Sequence, residues 1–189
     1  MRQLNQWRQT MISNEDQLIE RKVTTPIITK AHKKSIELGS LNNSITNGEG
    51  NLVGFVGEGL LNEYLLEQGQ MSKWSNTYEY DIVLNGDITI DVKSKKTNFI
   101  PKLDYECSVA ALNTKQACDV YVFTRVKGDM SIGWILGFLP KKDYFDLASL
   151  MKKGMIDPSN GWKVKTDCYQ VPINKLRPIN DLFEISSNS

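Results

Sequence analysis

The sequence predicts an α/β (α+β) fold in which a central mixed β-sheet is flanked by helices. Three observations carry that prediction. Asn51 to Gln68 is long enough for a helix and apolar almost all round, with Leu52, Val53, Phe55, Val56, Leu60, Leu61, Leu65 and Leu66, so it is a helix buried by its neighbours rather than laid on a surface. Tyr80 to Lys95, YDIVLNGDITIDVKSK, has the period of two of paired strands, with Ile82, Leu84, Ile88, Ile90 and Val92 on one face. Val120–Val126 and Ile132–Phe138 are rich enough in β-branched and aromatic residues to be central strands.

Taken in order, residues 1–24 are polar around an isolated Trp7 and form an arm or irregular helix. Thr25-Pro26 supplies an N-cap with proline at the first helical position, and Gly39 ends that helix. Leu41–Gly50, rich in Asn, Ser and Gly, is a loop, and Gly69 stops the buried helix. After the paired strands come a strand at Tyr105–Ala110 and a short connection or helical turn at Leu112–Asp119. The two central strands are joined by a hairpin at Lys127-Gly128-Asp129. A helix follows Leu139-Pro140 through Leu150 and ends near Gly154; Trp162–Val171 is a last strand before a loose tail.

The 189 residues, 40% hydrophobic and 24% charged, suit one domain: an arm at 1–24, a core at 50–140 and an extension at 140–189. No apolar run approaches the ~20 residues of a membrane span, and MRQLNQWRQT lacks a signal's apolar stretch, so the expected location is the cytoplasm, the host cell's if the chain is phage-encoded. Cys107, Cys118 and Cys168 form no CxxC pair, and His32 is the sole histidine, which argues against a disulfide framework, structural zinc and His-based catalysis. Any metal must be held mainly by carboxylates, and His32, in a basic run, is given no role. A net charge of +1 confines nucleic-acid contacts to local patches, of which there are three: Lys93, Lys95, Lys96 and Lys102; Lys30, Lys33 and Lys34; and Lys141, Lys142, Lys152 and Lys153. Each equally fits a solvated face; the first is favoured by nearness to Asp91.

The chemistry is concentrated in the paired strands. Asp91 and Lys93, two apart, leave the sheet on one side, a poor place for charge unless something charged binds there. A two-residue turn at Asn85-Gly86 would set Asp81 opposite Ile90, on the apolar face. A three-residue connection, Asn85 to Asp87, pairs Leu84 with Ile88 and Ile82 with Ile90 and places Asp81 across from Asp91, with Cβ atoms ~5 Å apart. The odd-length connection is therefore expected. Inside the buried helix Glu58 lies between Gly57 and Gly59, each costing roughly 1 kcal/mol against alanine. Either another backbone packs closely there, or the helix leaves room beside an ion and substrate; the carboxylate between them favours the second. Glu63 and Glu67 look like a solvent face, with Glu63 a fallback ligand. GEGNLVG has no preceding strand and no GK[ST], and is not taken as a phosphate loop.

These residues resemble the PD-(D/E)xK nuclease superfamily, whose fold is the restriction-endonuclease-like core. The resemblance lies in GEGLLNEYL with Glu58, YDIVLNG with Asp81, IDVKSK with Asp91 and Lys93, and the strand CDVYVF, and spans roughly residues 50–140. Tyr80 stands where the motif's proline would, and Asp91 where many members have Glu. The resemblance implies a Mg²⁺-dependent endo- or exodeoxyribonuclease of phage or bacterial DNA processing, repair or restriction. Asp81 and Asp91, with the Val92 backbone carbonyl and Glu58, would hold Mg²⁺ or Mn²⁺ through hard oxygens. Lys93 would position or help deprotonate the attacking water. Gln116 resembles a glutamine some members place near the site, and Lys95, Lys96 and Gln116 are candidate DNA contacts; Asp119 serves better as a cap or turn.

Two other readings stand beside this one. A noncatalytic nucleic-acid-binding module could keep the fold without turnover, although it would have no need of Asp81, Asp91 and Lys93 together. A resolvase of branched DNA is a subtype of the nuclease and would need a homodimer to place two cuts symmetrically. The plain structural alternative, an exposed Asp81–Lys93 ion pair worth ~1 kcal/mol or less, explains neither Glu58 nor its glycines.

Overall fold

Alternating aliphatic residues at Ile82–Leu84 (β3) and Ile88–Thr97 (β4) give two strands with a continuous apolar face, and the fold is assembled on them. The computed structural model describes residues 18–38, 49–75, 77–157, 161 and 163–186. The strands Ile19–Lys22 (β1), Ser72–Trp74 (β2), Val120–Lys127 (β6) and Ile132–Pro140 (β7) complete a six-stranded mixed sheet in the order β1-β7-β6-β4-β3-β2. Only β4 and β6 are parallel, from Ile90 opposite Val120 to Thr97 opposite Lys127; every other neighbouring pair is antiparallel. A parallel pair needs a long crossover, and here it contains Glu106–Ala110 (β5) and a 3₁₀ turn at Ala111–Lys115.

Helices Thr25–Leu38 (α1) and Glu49–Glu67 (α2) cover one face. Leu61, Tyr64 and Leu65 of α2 pack on Ile82, Leu84, Ile88, Ile90, Val92, Val120 and Val122, while Leu60, Val53 and Val56 meet Ile27 and Ala31 of α1. On the other face, Tyr121, Phe123, Leu136 and Leu139 pack against Lys141–Leu147 (α3) and a second sheet. That sheet runs β5-β9-β8, with β8 at Ser149–Met151 and β9 at Cys168–Pro172. The Tyr144 hydroxyl, shared between the carbonyls of Cys107 (3.0 Å) and Tyr169 (2.8 Å), ties α3 to it. No helix among the described residues is long and apolar enough to cross a membrane.

The buried α2, the paired strands and the two central strands lie where the sequence predicts them; several other elements do not. Part of the expected arm is β1, paired with β7 from Ile19 opposite Ile135 to Lys22 opposite Ile132. Residues 1–17, with Trp7, lie outside the described residues, as do Gly39, residue 40 and 41–48 of the expected loop, whose last two residues, Glu49 and Gly50, begin α2 instead. The cap of α1 is Thr24, whose Oγ1 accepts from the Ile27 amide at 3.4 Å. Residues 106–110 do form a strand, but in the second sheet. The helix after Pro140 stops at Leu147 and gives way to β8; the late strand is confined to Cys168–Pro172; and the tail contains a short helix, α4, at Asp181–Ser186. Such short segments have little periodicity of their own and are decided by neighbours they can pair with or lie against.

The glycines around Glu58 have a packing reason. A Cβ on Gly57 would lie 2.0 Å from Ser94 Oγ and 2.4 Å from Thr124 Oγ1, and one on Gly59 would lie 2.9 Å from Ile27 Cγ2. Close approach of side chains from β4, β6 and α1 therefore replaces the expected room for an ion and substrate. Gly57→Ala is expected to lower stability in urea by about 1–3 kcal/mol, although alanine is the better helix former by about 1 kcal/mol. A double-mutant cycle with Ser94→Ala should return a favourable coupling, because Ser94 Oγ is the nearest obstruction.

Candidate active site

The β3–β4 register decides which acids meet. Leu84 lies opposite Ile88 and Ile82 opposite Ile90, across the three-residue connection Asn85-Gly86-Asp87. Asn85 (φ 53°) and Gly86 (φ 91°) take left-handed conformations, which asparagine and glycine tolerate. The Asn85 side chain accepts from the Met71 amide at 2.9 Å and donates to Gln70 Oε1 at 2.9 Å, holding the turn against the end of α2. The expected odd-length register is thus the observed one as far as Ile82–Ile90, and just beyond that pair the carboxyl group of Asp81 meets that of Asp91.

Asp81 Oδ2 accepts the Val92 amide at 2.7 Å, and its own amide donates to the Ile90 carbonyl at 2.8 Å. Asp91 is 2% exposed. Its Oδ2 forms an ion pair with Lys93 Nζ at 2.5 Å and makes no further hydrogen bond. Burial first, then the charges of Glu58 and Asp91, push the Asp81 carboxyl up to about 8; a hydrogen bond to Asp91 acts in the same sense and the Val92 amide opposes them.

Lys93 is held from two sides, by Asp91 and by Gln116 Oε1 at 3.0 Å. Gln116 Nε2 donates to the Tyr78 carbonyl at 2.9 Å, and Lys141 Nζ binds the Gln116 carbonyl. Gln116 therefore braces Lys93 against the loop leading into β3. Glu58 comes from α2, across the sheet from the face on which Asp91 and Lys93 emerge. Its Oε2 accepts Lys34 Nζ at 2.9 Å and Trp74 Nε1 at 2.6 Å, and its charge reaches Asp81.

The other candidates are placed as follows. Lys95 Nζ is turned inward to Ser108 Oγ (2.6 Å) and the Glu106 carbonyl (3.3 Å), and burial followed by Arg125 lowers its pKa; it is a brace between the sheets rather than an open phosphate contact. Lys96 is exposed, as are Lys30, Lys33, Lys102, Lys142, Lys152 and Lys153. Glu63 accepts from Thr24 Oγ1 at 3.2 Å, and Asp119 accepts the Thr89 amide (2.8 Å) and hydroxyl (2.6 Å), a turn-closing role. His32 is exposed, and the three cysteines are buried and free. Burial pushes the Cys118 thiol up to about 11 and the Cys107 thiol up to about 12, so neither is an activated nucleophile. Sequence reasoning missed Trp74 and the pairing of Lys34 with Glu58; the only available signal was the spacing of Lys30 and Lys34, four apart on one helix face.

A hard divalent cation fits the donor set: two buried carboxylates whose negative charges act on one another, Asp91 with the Lys93 ammonium beside it. Among the described residues no three carboxylate, thiol or imidazole groups are clustered to hold an ion by themselves, so water and substrate oxygens would complete the shell. Neither family models nor characterised proteins give a match to this chain.

The metal-free protein should show the accumulated negative charge in its pH dependence. Asp81 binds its proton up to about pH 8 when folded but releases it near 3.8 when unfolded, so the stabilisation is full below that lower value and is lost as pH rises through about 8. Asp81→Asn imitates the protonated form. In EDTA its melting temperature should exceed the parent's above about pH 8 and converge on it toward pH 3.8; a gap independent of pH would count against this assignment.

Proposed function

We propose that the chain is a metal-dependent nuclease that hydrolyses phosphodiester bonds, with DNA as its substrate. The observation that carries this reading is the convergence of Asp81 and Asp91 from adjacent strands, with Lys93 emerging beside Asp91 on the same face. The resemblance of the same residues to the PD-(D/E)xK motif is in keeping with it. Asp81, Asp91 and the Val92 carbonyl would hold Mg²⁺, with Mn²⁺ able to replace it, and Glu58 would add negative field. Such an ion supplies a more acidic water and neutralises charge on a phosphate oxygen.

Lys93 Nζ, held between Asp91 and Gln116, stands where it can orient a water and offset charge building on the phosphoryl oxygens. Gln116 gives that ammonium a second, neutral acceptor beside Asp91. Lys96 and Lys30 are exposed and available as contacts for the backbone of the nucleic acid, a role Lys95 cannot share while its ammonium is bonded to Ser108.

Incubating the protein with linear, circular and single-stranded DNA in Mg²⁺, Mn²⁺ or EDTA tests this directly: cleavage should require the metal. Lys93→Ala is expected to keep the fold and Mn²⁺ binding while single-turnover cleavage falls by about 10²-fold or more. Undiminished cleavage by that variant would remove Lys93 from the mechanism.

A further inference from the structure

Lys34 is a deeply placed cation that the proposed chemistry does not use. Its side chain is 11% exposed and that of Glu58 is 7% exposed. The ammonium donates to Glu58 Oε2 at 2.9 Å and to the Ser75 carbonyl at 3.1 Å, and lies 4.3 Å and 5.0 Å from the ring centres of Trp74 and Phe55. Ser75 in turn donates its amide to the Asp81 carbonyl at 2.6 Å. Lys34 is thus one residue removed from the proposed metal ligands, surrounded by a carboxylate oxygen, a carbonyl oxygen and aromatic faces, all of which stabilise a cation.

Glu58 Oε2 already accepts two donors, the Lys34 ammonium and the Trp74 indole N–H. A carboxylate oxygen offers about two lone-pair directions, so this oxygen has none left for a divalent ion. Two-metal nucleases take the charge beside the scissile phosphate from a second ion; here a fixed ammonium occupies the Glu58 side of the site.

We infer that Lys34 is a positioning residue that serves as a built-in cation: it occupies Glu58 Oε2, places its positive charge where a second ion would lie, and restricts the site to one divalent ion, held by Asp81 and Asp91. The inference rests on the nuclease reading of those two carboxylates. Removing the ammonium while leaving Glu58 in place should open a second ion site.

Mn²⁺ titrated into the full chain, with bound ions counted by calorimetry and by loss of the free-ion electron paramagnetic resonance signal, tests this without cleavage. The unaltered chain should bind one ion. Lys34→Met and Lys34→Gln, checked for folding by circular dichroism, should bind a second ion whose spin couples to the first. Lys34→Arg should stay at one, and Lys34→Met combined with Glu58→Gln should return to one. Two ions in the unaltered chain, or a single ion in a folded Lys34→Met or Lys34→Gln protein, would overturn the inference and leave the nuclease reading standing. No bound ion in the unaltered chain would instead overturn the metal site of that reading.

Discussion

The pairing of β3 with β4 is the constraint on which the candidate site depends. Strand side chains alternate with a period of two, so a one-residue slip would send Asp81 to the aliphatic face and Ile82 to the polar one. Two independent forces prevent it. Burial of Ile82, Leu84, Ile88 and Ile90 against α2 rewards one register only, and the left-handed Asn85 and Gly86, anchored by the Asn85 side chain to Met71 and Gln70, supply the odd number of turn residues that register needs. The same arrangement that completes the core therefore brings two carboxylates together where water is largely excluded.

The electrostatic consequences follow from β4 being buried on both faces. Toward α2 it presents Ile88, Ile90, Val92 and Ser94; toward the second sheet it presents Asp91, Lys93 and Lys95. Ionised groups in such a position need partners. Lys95 finds them in Ser108 and the Glu106 carbonyl, and Lys93 in Asp91 and Gln116. The acids are less fully matched: Asp91 has Lys93 as its one cation, and Asp81 retains a proton far above the ordinary carboxylate range. Strongly shifted carboxylates of this kind gather at functional sites more often than elsewhere, which is the observation behind the proposed metal site.

Close packing of α2 sets the remaining distance in the site. Gly57 lets the helix settle onto Ser94 and Thr124, and Gly59 lets it settle against Ile27 and Trp74. Glu58, carried between them, is lowered until its charge reaches Asp81 and its Oε2 meets Trp74 and Lys34. Helix-breaking residues here are a packing device whose effect is electrostatic, because depth decides how strongly one carboxylate feels another.

The sequence by itself determined the buried α2, the paired strands and their register, the central strands, and the set Asp81, Asp91 and Lys93. Each of these is written in local periodicity or in turn length, which nearest neighbours along the chain enforce. Only the tertiary structure decided that β1 pairs with β7, that β5 leaves the main sheet for β9, that Lys95 turns inward, and that Lys34 and Trp74 claim Glu58. Glu58 and Lys34 are 24 residues apart on different helices, and no period along the chain records which ammonium will lie over which carboxylate. That choice is made by how closely two helices can approach, and the approach is set by what a glycine leaves out.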